Sequence, residues 1–124
     1  MAQALQNFKA ELFKALAHPT RIRILELLAE SEKSVGELQL ALASEGSSVS
    51  QQLAILRMKN LVDTRRAGTT IFYRLRDPQV TELLAVARHM FDAHVVELRA
   101  MAAEDAGSAG RRGAPARRAR KASA

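Results

Sequence analysis

Small hydroxyl and amide side chains concentrate in the run SSVSQQ, residues 47–52. Such groups hydrogen-bond to phosphate oxygens and to base edges, and a glutamine amide can contact adenine through both its oxygen and its nitrogen. The run therefore predicts a surface that reads nucleic acid. The candidates are Gln51, Gln52 and Ser48 for base contacts, Ser47 and Ser50 for phosphate contacts, and Ile55 for a thymine methyl group.

Basic residues continue the same segment toward residue 76, with Asp63 as the one acid among them. Arg65 and Arg66 are adjacent, so in a strand they point to opposite faces. Only one of them can then reach a given groove, and the other is available to pair with an acid. The predicted contacts, mainly to phosphate, are Arg57, Lys59, Arg65, Arg66, Thr69 and Thr70. The alternative is an ordinary solvated surface.

The helices that must position these residues follow from an apolar spacing of three and four residues. A first helix is predicted over residues 4–16, and a second begins at Pro19, which suits a first helical turn. Ser34 and Glu37 have the spacing of a capping box before a third helix. A fourth helix follows an N-cap at Ser47. It buries Val49, Leu53 and Leu56, and exposes Ser48, Gln51, Gln52, Ile55 and Lys59.

A β-hairpin and a long helix complete the predicted order. Two strand-like runs after Leu61 meet at Gly68, which supplies the positive φ that a tight tip needs. Asp77 and Pro78 precede a final helix from Gln79 to about residue 101. The predicted fold class is mainly α with a small β-hairpin, a winged helix-turn-helix ordered α-α-α-α-β-β-α. We expect the DNA-binding and dimerisation domain to span residues 1–103. Residues 104–124 are expected to form a disordered basic tail.

Composition restricts the function further. The 124 residues contain no cysteine, so disulfides and thiolate metal sites are excluded. The sequence also lacks the long apolar run that would predict a membrane span or a secretory signal. We therefore expect a cytoplasmic protein. The net charge of +6 belongs to residues 106–124, which hold six basic residues and no acid. This tail could raise nonspecific DNA affinity or simply increase solubility.

Three segments carry a family resemblance: LFKALAHPTRIRILELL, SVGELQLAL and SSVSQQLAILRMKNLVDTRRAGTTIFYRL. Together they resemble the ArsR/SmtB family of bacterial winged helix-turn-helix repressors over about residues 8–100. The resemblance implies a homodimer through the first and last helices that binds an inverted repeat in double-stranded DNA, with the fourth helix in the major groove, until an effector binds. The implied dimer contacts are Leu5, Phe8, Leu12, Met90, Phe91, His94 and Leu98.

The sequence departs from that family at three local positions. His18 stands where Asp is frequent, Gln52 where His is frequent, and Asn60 where Gly is usual. Asparagine tolerates the left-handed conformation, so the change at Asn60 is compatible with the end of a helix. The change at Gln52 is expected to alter base preference.

The sensor sites of the family are missing or incomplete. Gln39 and Ala41 replace the cysteines of soft-metal sensors. His94 and Glu97 match half of a zinc motif, but Thr81 and Leu83 replace the other half, and zinc needs three or four ligands. We expect no metal or other cofactor, and the effector is unknown. A surface pair of His89 with Asp92 and a metal site shared between subunits stay open.

Other function classes fit less well. No catalytic triad or phosphate-binding loop is indicated, so we expect no enzyme. Single-stranded RNA would need exposed aromatic residues, which the reading face lacks. The remaining alternative is a winged-helix protein-interaction module, or a general nucleic-acid-binding module without operator specificity. A protein-binding face would need apolar residues on the fourth helix, where only Ile55 supplies one.

Overall fold

A computed structural model describes residues 1–43 and 46–112, with the side chains at 46–47 and 108–112 outside the description. The described part contains five helices and three short strands. Their bounds are α1 Ala2–Leu16, α2 Pro19–Glu30, β1 Lys33–Ser34, α3 Val35–Ala41, α4 Gly46–Met58, β2 Val62–Ala67, β3 Thr70–Leu75 and α5 Gln79–Arg112. In these residues no helix is both long enough and apolar enough to cross a membrane.

The chain divides into two units, Met1–Ala85 and Val86–Ala124. The first unit holds the hydrophobic core. Its most completely buried side chains come from α2, α3, α4 and β2: Ile24, Leu25, Leu38, Val49, Leu53, Leu56 and Val62. The second unit contains α5 from Val86 onward, whose larger apolar side chains are exposed in the single chain. The first unit therefore contains every element that positions residues 46–75.

The predicted starts of α2 and α3 are confirmed by their capping contacts. The His18 Nδ1 accepts a hydrogen bond from the Thr20 backbone N–H at 3.2 Å, with Pro19 in the first turn of α2. At α3 the Ser34 hydroxyl accepts from the Glu37 N–H, and the Glu37 carboxylate accepts from the Ser34 N–H. Each contact satisfies an amide that the helix itself leaves without a partner.

The sheet contains the predicted hairpin and one strand that the sequence pattern missed. β2 and β3 pair antiparallel, with Ala67 opposite Thr70, and the tip residue Gly68 has φ +66 as expected. β1 adds to the other edge of β3, so the order is β1-β3-β2. A strand of two residues is too short to show a period of two, which explains why it was not predicted.

Two helix boundaries differ from the predictions. α4 begins at Gly46, before the predicted cap Ser47. α5 continues to Arg112, past the predicted helix end near residue 101 and into the segment expected to be a disordered tail. The run AAEDA at 102–106 consists largely of good helix formers, and isolated glycines weaken a helix without ending it. Residues 113–124 lie outside the described part of the chain.

Candidate nucleic-acid interface

Helix α4 is anchored by three apolar side chains of its buried face. Val49, Leu53 and Leu56 are at most 1% exposed, as their spacing predicted. At the C-terminal end, Asn60 has φ +62, and the Leu61 N–H donates to the Leu56 carbonyl at 2.9 Å. Left-handed Asn60 thus ends the helix and directs the chain into β2.

The exposed face of α4 is rotated from the predicted one. Ser50, Gln51, Ala54 and Arg57 are exposed, while Ser48 and Ile55 are half-buried. At about 100° per residue the exposed residues form one continuous arc opposite Val49 and Leu56. Ala54 was not predicted, although its position between Ser50 and Gln51 on the helical wheel indicates it. The side chain of Ser47, a predicted phosphate contact, lies outside the described residues.

Gln52 corrects the sequence prediction most clearly. It is only 8% exposed, and its amide oxygen accepts a hydrogen bond from the Arg21 Nε at 2.9 Å. On a helical wheel Gln52 is about 40° from Leu56, so it borders the buried face rather than the exposed one. Because glutamine is polar, the sequence pattern placed Gln52 on the exposed face. Gln52 therefore does not share an accessible face with Gln51.

The hairpin, here called the wing (β2, β3 and their turn), separates the two adjacent arginines. Arg65 donates two hydrogen bonds to Glu32, at 2.9 and 2.7 Å, and its guanidinium lies 4.8 Å from the Phe72 ring centroid. Arg66, Thr69 and Thr70 are exposed. Arg65, predicted as a DNA contact, is thus engaged within the protein because Glu32 and Phe72 flank it. Both arginines of this pair are exposed, but only the Arg65 guanidinium is seen bonded to Glu32.

The Arg65–Glu32 contact also affects ionisation. Hydrogen bonding by the Arg65 guanidinium lowers the pKa of the Glu32 carboxyl below its usual value, because it stabilises the charged form. The contact joins β2 to the short segment between α2 and β1. It therefore helps to fix the position of the wing relative to the helices of the first unit.

Comparison with known proteins identifies the family. Residues 18–64, from the cap of α2 into β2, match the model of the "Bacterial regulatory protein, arsR family". The HTH-type transcriptional regulator Rv0081 of Mycobacterium tuberculosis is 48% identical over 105 residues, which cover 84% of this chain and 91% of that protein. The chain belongs to the arsR family of bacterial regulatory proteins.

Two further relatives support the fold and the general function. The biofilm growth-associated repressor of Agrobacterium fabrum is 43% identical over 84 residues, covering 68% of this chain and 72% of the repressor. The homodimeric winged helix-turn-helix DNA-binding domain Mb0332 of Mycobacterium bovis matches with TM-score 0.67 and 34% identity, over 76% of this chain and 87% of that domain. The winged helix-turn-helix fold and the function of transcriptional regulator are thereby confirmed.

At the C-terminal end of α4 in this arsR-family regulator, Lys59 is directed toward α1. Its Nζ lies 3.4 Å from Glu11 Oε1. The pKa of Glu11 is lowered, chiefly by the charge of Lys14 and further by Lys59. A DNA phosphate would therefore compete with Glu11 for Lys59, which makes Lys59 a weaker candidate contact than Arg57.

Large apolar side chains are exposed on α1 and on α5, the two helices that carry the predicted dimer contacts. Phe8 is 66% exposed and Met90 is 69% exposed. The predicted dimer contacts Leu5, Phe91, His94 and Leu98 are also exposed, and Leu12 is half-buried.

The candidate metal ligands of α5 do not cluster. Among the described residues no three histidine, aspartate or glutamate side chains come together in a geometry for a metal ion. Asp92, the potential partner of His89, pairs with Arg88 at 3.6 Å. Within one chain, then, His89, His94 and Glu97 do not form a ligand set.

Proposed function

We propose that this arsR-family regulator is a homodimeric repressor that binds an inverted-repeat operator in double-stranded DNA. The observation that carries the proposal is the exposed arc of α4, Ser50, Gln51, Ala54 and Arg57, followed along the chain by the exposed wing residues Arg66, Thr69 and Thr70. No acidic residue occurs from 46 to 62. This surface combines hydrogen-bonding groups for base edges with cations for phosphate.

Within this surface the contacts would be divided by position. Gln51 reads a base edge in the major groove, and Ser50 and Ala54 lie close to the bases or their backbone. Arg57 contacts phosphate beyond the reading residues. In the wing, Arg66, Thr69 and Thr70 contact the sugar-phosphate backbone of the flanking DNA. Lys59 and Arg65 play secondary roles because Glu11 and Glu32 already hold them.

A dimer is supported by the exposed apolar residues of α1 and α5. Large apolar groups exposed along helices are typical of interaction surfaces. A cavity of about 870 Å³ adjoins α1 and has Phe8, Leu12 and Leu83 in its wall. A second copy seated on α1 would cover this cavity as well as the exposed ring of Phe8. We further propose that the protein acts in the cytoplasm, where such regulators meet DNA.

Fluorescence anisotropy with labelled duplexes tests the proposed function. A duplex with two half-sites about one helical turn apart should bind one dimer cooperatively, and a duplex with one half-site should bind much more weakly. A protein-interaction module would bind both duplexes equally weakly, and added salt would abolish that binding. Equal affinity for all duplexes at every salt concentration would contradict operator binding.

A further inference from the structure

The guanidinium of Arg21 connects three helices. Arg21 belongs to α2, its Nη1 donates to the Ala15 carbonyl at the end of α1, and its Nε donates to the Gln52 amide oxygen on α4. Both distances are 2.9 Å, and both contacts are partly buried. The planar guanidinium of Arg21 thus links the end of α1 to the side of α4 that carries Gln52.

The Ala15 carbonyl is a well-placed anchor for this group. Carbonyls in the last turn of a helix have no partner within the helix, and the C-terminal end carries a partial negative charge. A guanidinium satisfies such a carbonyl and is attracted to it electrostatically. Since its N–H groups have a fixed planar geometry, the contact to Ala15 also fixes the direction in which Nε points toward Gln52.

We propose that Arg21 and Gln52 are positioning residues that determine the rotation of α4 about its own axis, and thereby the residues that α4 presents to DNA. The inference rests on the proposed function. The packing of Val49, Leu53 and Leu56 is apolar and has little directional preference, so it tolerates small rotations of the helix. The bond from Arg21 to Gln52 is directional and constrains that rotation.

The competing role for Gln52 is the base contact expected from its sequence position. Reading adenine requires the amide oxygen to accept from the base while the amide nitrogen donates to it. In this fold the oxygen is already bonded to Arg21 and the side chain is 8% exposed. Gln52 therefore affects base preference indirectly, through the orientation of Gln51.

Two matched variants separate the roles. Gln52→Glu keeps an oxygen acceptor for Arg21, whereas Gln51→Glu puts the same charge on the exposed face. We expect Gln52→Glu to retain the preference for operator over random DNA, and Gln51→Glu to lose about 5- to 150-fold of it, the range for one good base contact. Gln52→Leu, which removes the acceptor, should lose preference while its affinity for random DNA stays near that of the wild type.

The contact itself is measured by NMR without DNA. The Arg21 Nε–H signal should be shifted and protected from solvent exchange in the full chain and in Gln52→Glu, and should lose that protection in Gln52→Leu. This readout keeps the test decisive if Gln52→Leu is unstable, because Gln52→Glu alone must still show both protection and operator preference.

Three results would overturn the proposal. Equal loss of preference in Gln52→Glu and Gln51→Glu would assign Gln52 to base contact. Full preference in a folded Gln52→Leu variant would show that the bond positions nothing. An Arg21 Nε–H that exchanges freely in the wild type would remove the bond itself. Absence of operator preference in the wild-type protein, with the Arg21 signal protected, would instead identify a failure of the proposed function.

Discussion

Two pairs of identical neighbours, Gln51–Gln52 in α4 and Arg65–Arg66 in the wing, are divided in the same way. In each pair the side chain of one residue, Gln52 or Arg65, is hydrogen-bonded to a residue more than 30 positions away in the chain, and its neighbour lies on another face of the helix or strand. The geometry that divides them differs: a helix turns by about 100° between neighbours, and a strand alternates faces. Identical neighbouring residues therefore differ in their surroundings, and in each pair one of them is bonded within the protein.

The two pairs also differ in how firmly the bonded residue, Gln52 or Arg65, is held by the rest of the protein. Gln52 is buried and bonded to Arg21, so its removal leaves part of a partly buried guanidinium without a partner. Arg65 and Glu32 are more exposed, with side-chain exposures of 48% and 30%. Exposed ion pairs contribute little to stability because water screens them. We expect α4 to be more sensitive to the loss of Gln52 than the wing is to the loss of Arg65.

The largest effect is expected from Gln51→Ala. Loss of a base contact should weaken operator binding by about 1–3 kcal/mol and relax the base preference at one position of each half-site. Competition binding against duplexes with every base at that position measures this. Uniform weakening across all duplexes would instead assign Gln51 to backbone contact. Gln51 would then, like Gln52, make no direct base contact.

A smaller effect is expected in the wing, where Arg66 can be compared with the ion pair of Arg65 and Glu32. Arg66→Gln should reduce the salt dependence of binding by about 0.9 in the slope of log K against log salt, the value for one phosphate contact. The double variant Glu32→Gln with Arg65→Gln keeps the net charge, so its slope should stay unchanged if Arg65 is committed to Glu32. An equal reduction by both variants would show that the two arginines contact DNA alike.

The smallest effect concerns pH. The lowered pKa of Glu32 means that its charged form favours the folded state, so this contribution is fully present above the ordinary value of 4.5 and is lost as the pH falls through the lowered pKa. Carbon-13 NMR of the Glu32 carboxyl should give a midpoint below 4.5, which returns toward 4.5 in Arg65→Gln. A midpoint that does not respond to Arg65→Gln would mean that the pair is not formed in solution.

Much of the scaffold was predictable because its signals are local. Ser34 and Glu37 form their capping box within four residues, Gly68 allows the turn at its own position, and Asn60 accepts the left-handed conformation. The inward spacing of Val49, Leu53 and Leu56 needed only the helical period. Each of these features depends on residues that are close in sequence.

The inward side of the candidate site was not predictable in the same way. Gln52 meets Arg21 across 31 positions in the chain, and Arg65 meets Glu32 across 33. Neither pairing has a local signature, and the strand β1 is too short to have one. A helical wheel places Gln52 beside Leu56, but its partner Arg21 comes within reach only when α2 packs against α4.

The most direct test of operator binding is selection of binding sites from random duplex DNA with the purified full chain and with Gln51→Ala. For the wild type we predict an enriched inverted repeat whose half-sites are about one helical turn apart. Gln51→Ala should enrich the same repeat with one position of each half-site relaxed. No enriched sequence for the wild type at low salt would contradict the account.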